Sequence, residues 1–359
     1  MKKLVVIILA LTMLLSACGT AAPKATDNAT TAAAVGATTA AASKPLKIGV
    51  LVWKFSDAYG STVRQAMTKY AEELGKAKGI TVELDMQDAN DNQTTQNDQC
   101  DTLLAKGIDL LVINLATDGA AQALVDKAKA KNVPVLFYNK EPTDSKTLVP
   151  AANSIFIGTK PEEAGVMQGE IFAEQWAANK AWDRNGDGVC QYLMFKGQAD
   201  NIEAIARTKY SIDTAVAKGV SMKLASPDIY VCDWDTAKAQ DTMTAAWASV
   251  GKNVEAIFCN NDGMGIGVIA ALNQVNYNMG DQTKNYIPVY GVDATDEAMA
   301  AISAGKMSGT VKQDGDAMGK AVVELAINGA QKIGWLDGTT YKMADDGYSI
   351  RIPYAKITK

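Results

Sequence analysis

The stretch LKIGVLVWKFSDAYGSTVRQAM, residues 46–67, sets a short apolar run directly against an amphipathic window. KIGVLV has the length and β-branched content of a strand buried on both faces. From Asp57 onward the apolar residues recur at helical spacing, which predicts a helix over 57–78. A strand that feeds straight into a helix is half of a β-α-β unit, and the alternation continues downstream. ITVELDM, IDLLVINL and VPVLFY read as further strands, with helical windows over 94–106 and 120–131 between them. Such alternation predicts a parallel sheet covered by helices on both faces.

The pattern then restarts. SIFIG, CQYLMF, VSMKLAS, VEAIFC and IPVYGV are strands, separated by helical windows over 162–179, 202–218, 236–250 and 264–274. A helix over 297–304, the strand SGTVKQ and a helix over 317–328 follow. The tail YSIRIPYAKI reads as one more extended segment. The fold class is therefore α/β, with two doubly wound, Rossmann-like parallel-sheet lobes. About 315 residues suit two domains of ordinary size.

Upstream lies MKKLVVIILALTMLLSACGT: two lysines, a short apolar run and small residues, the pattern of a secretory signal over 1–17. Leu15-Ser16-Ala17-Cys18 resembles the bacterial lipobox, which implies acylation of Cys18 and a membrane anchor. Residues 18–45 hold that cysteine and an Ala/Thr-rich stretch that reads as a flexible tether. A net charge of -5 and no histidine argue against nucleic acid as a partner. Without histidine the usual general base and the commonest zinc ligand are also missing. Cys100, Cys190, Cys232 and Cys259 show no CxxC spacing. Cys259, in VEAIFC, reads as a small buried hydrophobe.

Polar residues collect just past the strand ends. Asp57 and Tyr59 follow the first strand, Asn114 ends LLVIN, and Asn201, Glu203 and Arg207 follow YLMFKG. Trp234 sits in CDWDTA, Asn261 and Asp262 follow IFCN, and Asp293 follows VYGV. Each Asp or Asn alone fits a helix N-cap. Repeated on both halves, the set predicts a cleft beyond the carboxyl ends of two facing sheets. Carboxylate, guanidinium and amide groups suit a neutral polyhydroxylated ligand, because each hydroxyl both donates and accepts. Tyr59 and Trp234 offer flat faces for its C–H surface.

DRNGDGVCQ, residues 183–191, opens like a calcium loop. Oxygen-bearing residues stand at positions one, three and five, with Gly188 at six, yet position twelve is Met194 in place of the usual glutamate. The loop alone reads rather as an Asx-rich turn, with Asp187-Gly188 as its corner.

KFSDAYGSTVRQAM, QNDQCDTLLAKGIDLLVINL, VPVLFYNKEP, WAANKAWDRNGDG, NNDGMGIG, VYGVDATDEAM and DGTTYKM together resemble the periplasmic galactose/glucose-binding proteins of sugar ABC importers. The resemblance runs in order from about residue 47 to 354. It implies a type I periplasmic binding fold with a three-segment hinge. Residues 46–133 plus 315–350 would form one lobe, and 134–314 plus 351–359 the other. It also implies sugar contacts from Asp57, Tyr59, Asn114, Asn201, Glu203, Arg207, Trp234, Asn261, Asp293 and Gln313. Asn201 stands where the family has histidine, Glu203 where it has aspartate and Gln313 where it has asparagine. The last two are one methylene longer, which is expected to push their head groups further into the cleft. Finally, the resemblance implies structural calcium held by Asp183, Asn185, Asp187, the Val189 carbonyl, Gln191 and a later glutamate, Glu255. The expected role is non-enzymatic: an exported protein closes on a monosaccharide and delivers it to a membrane permease or presents it to a chemoreceptor or sensor. A secreted enzyme using Asp57, Glu203, Asp262 and Asp293 is the competing class. No nucleophile elbow or phosphate loop supports it.

Overall fold

The computed structural model describes residues 44–358. The signal segment, Cys18 and most of the tether lie outside the described residues. The first run of the chain is β1 (Leu46–Val52), α1 (Ala58–Lys78), β2 (Val82–Asp88), α2 (Gln93–Ala105), β3 (Leu110–Ile113), α3 (Ala121–Ala130), β4 (Val135–Tyr138), α4 (Ser145–Ala151) and β5 (Ile155–Gly158). The second is α5 (Pro161–Ala178), β6 (Val189–Lys196), α6 (Ile202–Ala217), β7 (Ser221–Leu224), β8 (Tyr230–Val231), α7 (Thr236–Val250), β9 (Ala256–Cys259), α8 (Asp262–Gln274), β10 (Val289–Asp293), α9 (Asp296–Ser303) and β11 (Gly309–Gln313). Then α10 (Gly315–Ala330), β12 (Ser349–Arg351) and β13 (Tyr354–Thr358) complete the chain.

Two sheets result. The first has the order β12-β5-β4-β3-β1-β2, all parallel. The second runs β13-β11-β10-β9-β6-β7, with β8 beside β6 and only β13 antiparallel. Why β1 lacks a polar face is visible in its packing. Ile48, Val50 and Val52 meet α1 and α10 on one side. Leu51 points to the other side, into the core beneath α2 and α3. Strands buried on both faces read as continuous apolar runs. In the second sheet Leu193 and Phe195 of β6 face one core and Cys190 and Met194 the other.

The lobe boundary expected at 133/134 is misplaced. Leu136 of β4 pairs with Ile155 of β5, and β5 pairs with β12, so both strands belong to the first sheet. The first crossing between lobes comes after Gly158. SIFIG closes the first unit and does not open the second. The short α4, with Pro150 inside it, supplies the crossover that the sequence pattern hid. The other crossings run through Asp314, and through Ile352 and Pro353. The tail is likewise two strands in different sheets, broken at Pro353, which has no N–H to donate. Cys100, Cys190, Cys232 and Cys259 are all buried and free. Among the described residues no helix is long and apolar enough to cross a membrane.

Candidate functional site

In the first sheet the strand order reverses at β1, with β2 on one side and β3 on the other. Ligands of open α/β sheets bind beyond the strand ends at such a point. There the chain leaves β1 through Trp53 and enters α1 at Asp57. The Asp57 carboxylate caps α1, accepting from Gly60 N–H at 2.6 Å. Across the gap, Asn201 caps α6 by accepting from Ala204 N–H at 3.0 Å, and Asn261 caps α8 by accepting from Met264 N–H at 3.0 Å. The N-cap reading and the cleft reading therefore hold together: capping fixes these side chains at the cleft wall.

The two lobes close on a cavity of about 30 Å³. Asp57, Tyr59, Asn201, Glu203, Arg207, Trp234, Asn261, Asp293 and Gln313 all line it. Asn114 does not line it. It is buried at the end of β3, where its carbonyl accepts from Gln96 Nε2. Trp53, Asn139 and Lys140 also line the cavity and were not anticipated. The first two residues after β4, in VPVLFYNKEP, supply the latter pair. A larger depression, about 940 Å³, lies along the outer edge of β2. It is an open groove over the sheet edge and the outer side of α1, and its size does not make it the site.

Arg207 is the centre of the arrangement, 2 % exposed. Its Nη1 donates to Asn260 O at 2.8 Å, and its Nη2 donates to Gln313 Oε1 at 2.7 Å and to the Tyr354 hydroxyl at 2.9 Å. Glu203 Oε2 and Asp293 Oδ1 lie 3.7 and 3.9 Å from it. The Trp234 ring stands 5.6 Å from the guanidinium carbon. Trp234 fits because residue 197 is glycine: a Cβ there would lie 2.3 Å from the indole. Asp233, Trp234, Asp293 and Ala294 all have positive φ, at 52°, 65°, 128° and 58°. Strain of this kind costs about 1–3 kcal/mol per residue and concentrates at functional sites.

Burial lifts the Asp57 carboxyl above its ordinary value, although the Gly60 N–H and Lys140 oppose the shift. Glu203 moves the same way for the same reason, against the pull of Arg207. Asp293 is pushed well above the carboxylate range by burial, with Arg207 again opposing. Arg207 loses from burial but gains more from Tyr354, Glu203 and Asp293, and stays firmly charged. The directions of the two partners pull apart. We hold that the cation is fixed and that the acids around it compete for that one charge.

Among the residues that line the cavity, the Tyr59 hydroxyl and Arg207 Nε are buried without a hydrogen-bond partner, as is Asn114 Oδ1 at the end of β3. Buried polar atoms are normally satisfied, so orphans around a cavity call for a ligand.

The lobes also touch directly. Lys140 Nζ donates to Gln198 Oε1 at 2.8 Å and lies 4.0 Å from the Trp53 ring centre. Gln198 Nε2 donates to Asp91 at 3.2 Å. Asn201 Nδ2 donates to Asp118 Oδ2 at 3.0 Å, and Lys54 pairs with Asp235 at 3.5 Å. The longer side chains are also held by partners here. Glu203 Oε1 accepts from Thr159 Oγ1 at 3.1 Å, and Gln313 Nε2 donates to Asn139 Oδ1 at 3.2 Å. Both residues line the cavity, and these bonds tie their head groups to the first lobe crossing and to the opposite lobe.

A second polar cluster sits at the start of β6. Gly186 and Gly188 take φ of 74° and 75°, which turns the loop back on itself. Asp183 accepts from Gly186 N–H at 2.8 Å and Gly188 N–H at 2.9 Å. Asp187 Oδ2 accepts from Asn185 Nδ2 at 3.1 Å and Gln191 Nε2 at 2.9 Å. Glu255, just before β9, reaches over: Oε1 accepts from Arg184 N–H at 2.6 Å and Oε2 from Gln191 N–H at 3.0 Å. Burial lifts the Glu255 carboxyl above its ordinary value, and those N–H groups oppose the shift. Val189 opens β6 beside this group. Among the described residues no three His, Cys, Asp or Glu side chains stand together as a metal site. Any cation here would rely on amide and carbonyl oxygens alongside the carboxylates, a donor set that suits calcium. The Asn185 and Gln191 amides present nitrogen to Asp187, and half a turn of each would present oxygen.

Residues 48–332 match the periplasmic binding protein domain family. The chain is 38% identical over 333 residues to the D-galactose/methyl-galactoside binding periplasmic protein of Haemophilus influenzae, covering 91% of this chain and 94% of that one. It is 28% identical to a putative rhizopine-binding protein of Rhizobium meliloti, covering 82% and 87%. Among solved structures, an ABC transporter solute-binding protein from Clostridium phytofermentans with bound β-D-glucose matches with a TM-score of 0.68. It shares 22% identity over 87% of this chain and 94% of that one.

Proposed function

The chain belongs to the periplasmic binding protein family, whose members bind solutes without transforming them, and we propose that it captures one monosaccharide and delivers it to an ABC importer. The observation that carries this reading is the cavity between the lobes with orphaned polar groups around it. Its 30 Å³ is room for the centre of a water-sized sphere. Adding that ~1.4 Å radius on all sides encloses about 150 Å³, the space of a single sugar ring.

The preferred sugar is of the galactose or glucose type, in keeping with the relative of Haemophilus influenzae. Asp57, Glu203 and Asp293 accept from its hydroxyls, Arg207 Nε and the Tyr59 hydroxyl donate to them, and the Trp234 ring covers a C–H face. The first lobe supplies Asp57, Tyr59 and Lys140, and the second supplies Glu203, Arg207, Trp234 and Asp293. A ligand that touches both walls only when they meet shifts the equilibrium toward closure. The closed shape is then what the permease recognises.

Calcium fits the loop at 183–191. Asp183, Asn185, Asp187, Gln191, Glu255 and the Val189 carbonyl would hold it, and it would supply a structural tie between the loop and β9. Acylated Cys18 would anchor the exported protein to the membrane, with residues 19–44 as its leash.

Isothermal titration with glucose, galactose and other common monosaccharides tests the central claim. At least one should bind tightly. Flat titrations across the series defeat the reading.

A further inference from the structure

Tyr354 opens β13, directly after the third crossing between the lobes. It is buried, as are Arg207, Thr159 and Gln313. We propose that Tyr354 is a positioning residue that ties the ligand-facing guanidinium of Arg207 to the hinge. The proposal rests on the reading that closure around a ligand is the functional event.

The hydroxyl of Tyr354 accepts from Arg207 Nη2 at 2.9 Å and donates to Thr159 Oγ1 at 2.8 Å. Thr159 is the first residue of the first crossing, and its hydroxyl goes on to Glu203 at 3.1 Å. Arg207 Nη2 also donates to Gln313 Oε1 at 2.7 Å, the last residue before the second crossing. Gln313 pairs with Tyr354 across the β11–β13 ladder. One guanidinium is therefore bonded to all three crossings, either directly or through one hydroxyl. Nη2 is spent on this frame and Nη1 on Asn260 O, and Nε alone is left without a partner.

This division of labour has a mechanical meaning. Bending at the crossings displaces Thr159 relative to Gln313 and Tyr354, which moves the acceptors that fix Arg207. Conversely, a ligand that pins Nε holds the crossings in their closed arrangement. Coupling of this kind is reciprocal.

Y354F keeps the ring and removes the hydroxyl, and T159V removes the group at the other end of the same bond. Spin labels, one in each lobe, report the distance between lobes in the ligand-free protein, and calorimetry reports sugar binding. Each variant should shift the ligand-free distances toward open forms and weaken sugar binding roughly 3- to 10-fold, the loss of one hydrogen bond. The double variant should cost less than the sum of the two single variants, since both substitutions cut the Tyr354–Thr159 bond. Distance distributions that superimpose on the wild type, with only a lowered Tm, overturn the proposal. The sugar reading is judged separately. A wild type that binds no monosaccharide, but opens on Y354F, leaves the hinge role standing and removes the sugar. A wild type that binds sugar, with distances indifferent to Y354F, does the reverse.

Discussion

Replacing Glu255 by glutamine separates two contributions at the loop of residues 183–191. Glutamine keeps one acceptor oxygen, whereas Glu255 now accepts from Arg184, Asn185 and Gln191 N–H groups. Leaving one of these buried donors unmet costs about 1–3 kcal/mol whether or not an ion is present. The ion adds a second amount: at free calcium 100-fold above its Kd, binding stabilises by about 2.7 kcal/mol. For a lobe of this size each kcal/mol moves Tm by about 2–4 °C. Thermal melts in 1 mM calcium and in excess chelator should then differ by about 5–11 °C for the wild type. E255Q should melt lower in both buffers, and its two melts should nearly coincide. A wild-type Tm indifferent to the chelator refutes the calcium site. An E255Q variant that responds to calcium as strongly as the wild type refutes the role given to this glutamate.

Gly197→Ala puts a Cβ 2.3 Å from the Trp234 indole, so the ring must leave its place. Sugar affinity by calorimetry should fall about tenfold, ~1.4 kcal/mol, and the double variant with Trp234→Ala should be no worse than Trp234→Ala alone; additive losses would contradict the stacking role. Burial lifts Asp262 to about 7, with Thr310 and the Thr295 N–H opposing, against roughly 3.9 in the unfolded chain. The folded state holds the extra proton between those values, so this group makes stability fall as pH rises from about 4 to 7, by at most ~1.4 kcal/mol per pH unit, and then level off. Urea melts across that range should show a flatter slope for Asp262→Asn; an unchanged slope would rule the group out. Gln198→Ala removes the bonds to Lys140 and Asp91 that join the lobes. The ligand-free variant should show a larger radius of gyration by X-ray scattering, and an identical profile would show that these contacts do not hold the lobes together.

The fold was legible where burial erased the polar face of a strand. KIGVLV and VEAIFC read correctly because both of their faces meet helices. The boundary near residue 133 did not, because α4 is short, carries Pro150 and gives no helical period of its own. The site was legible for a topological reason: Asp57, Asn201, Asn261 and Asp293 each follow a strand, and parallel strands bring such positions to one edge. Lys140 was missed because a lysine after a strand normally points into water. Here the Trp53 face and the Gln198 amide cover it, and neither partner is near it in sequence. The same limit hid Asp118, which meets Asn201 across the gap. The direction of Glu203 and Gln313 also needed coordinates, since length alone does not say which neighbour the extra methylene approaches.

The order of the chain through the lobes governs how the molecule can be made. α10 furnishes much of one face of the first core, through Met318, Val322, Leu325 and Ile327. It is synthesised only after every residue of the second lobe but its last strand. The earliest strands to emerge therefore wait, one side only partly covered by α1, while a complete neighbour is threaded between them and the rest of their cover. Such a polypeptide stays unfinished until its final few dozen residues arrive, a delay that favours passage through an export channel before it sets.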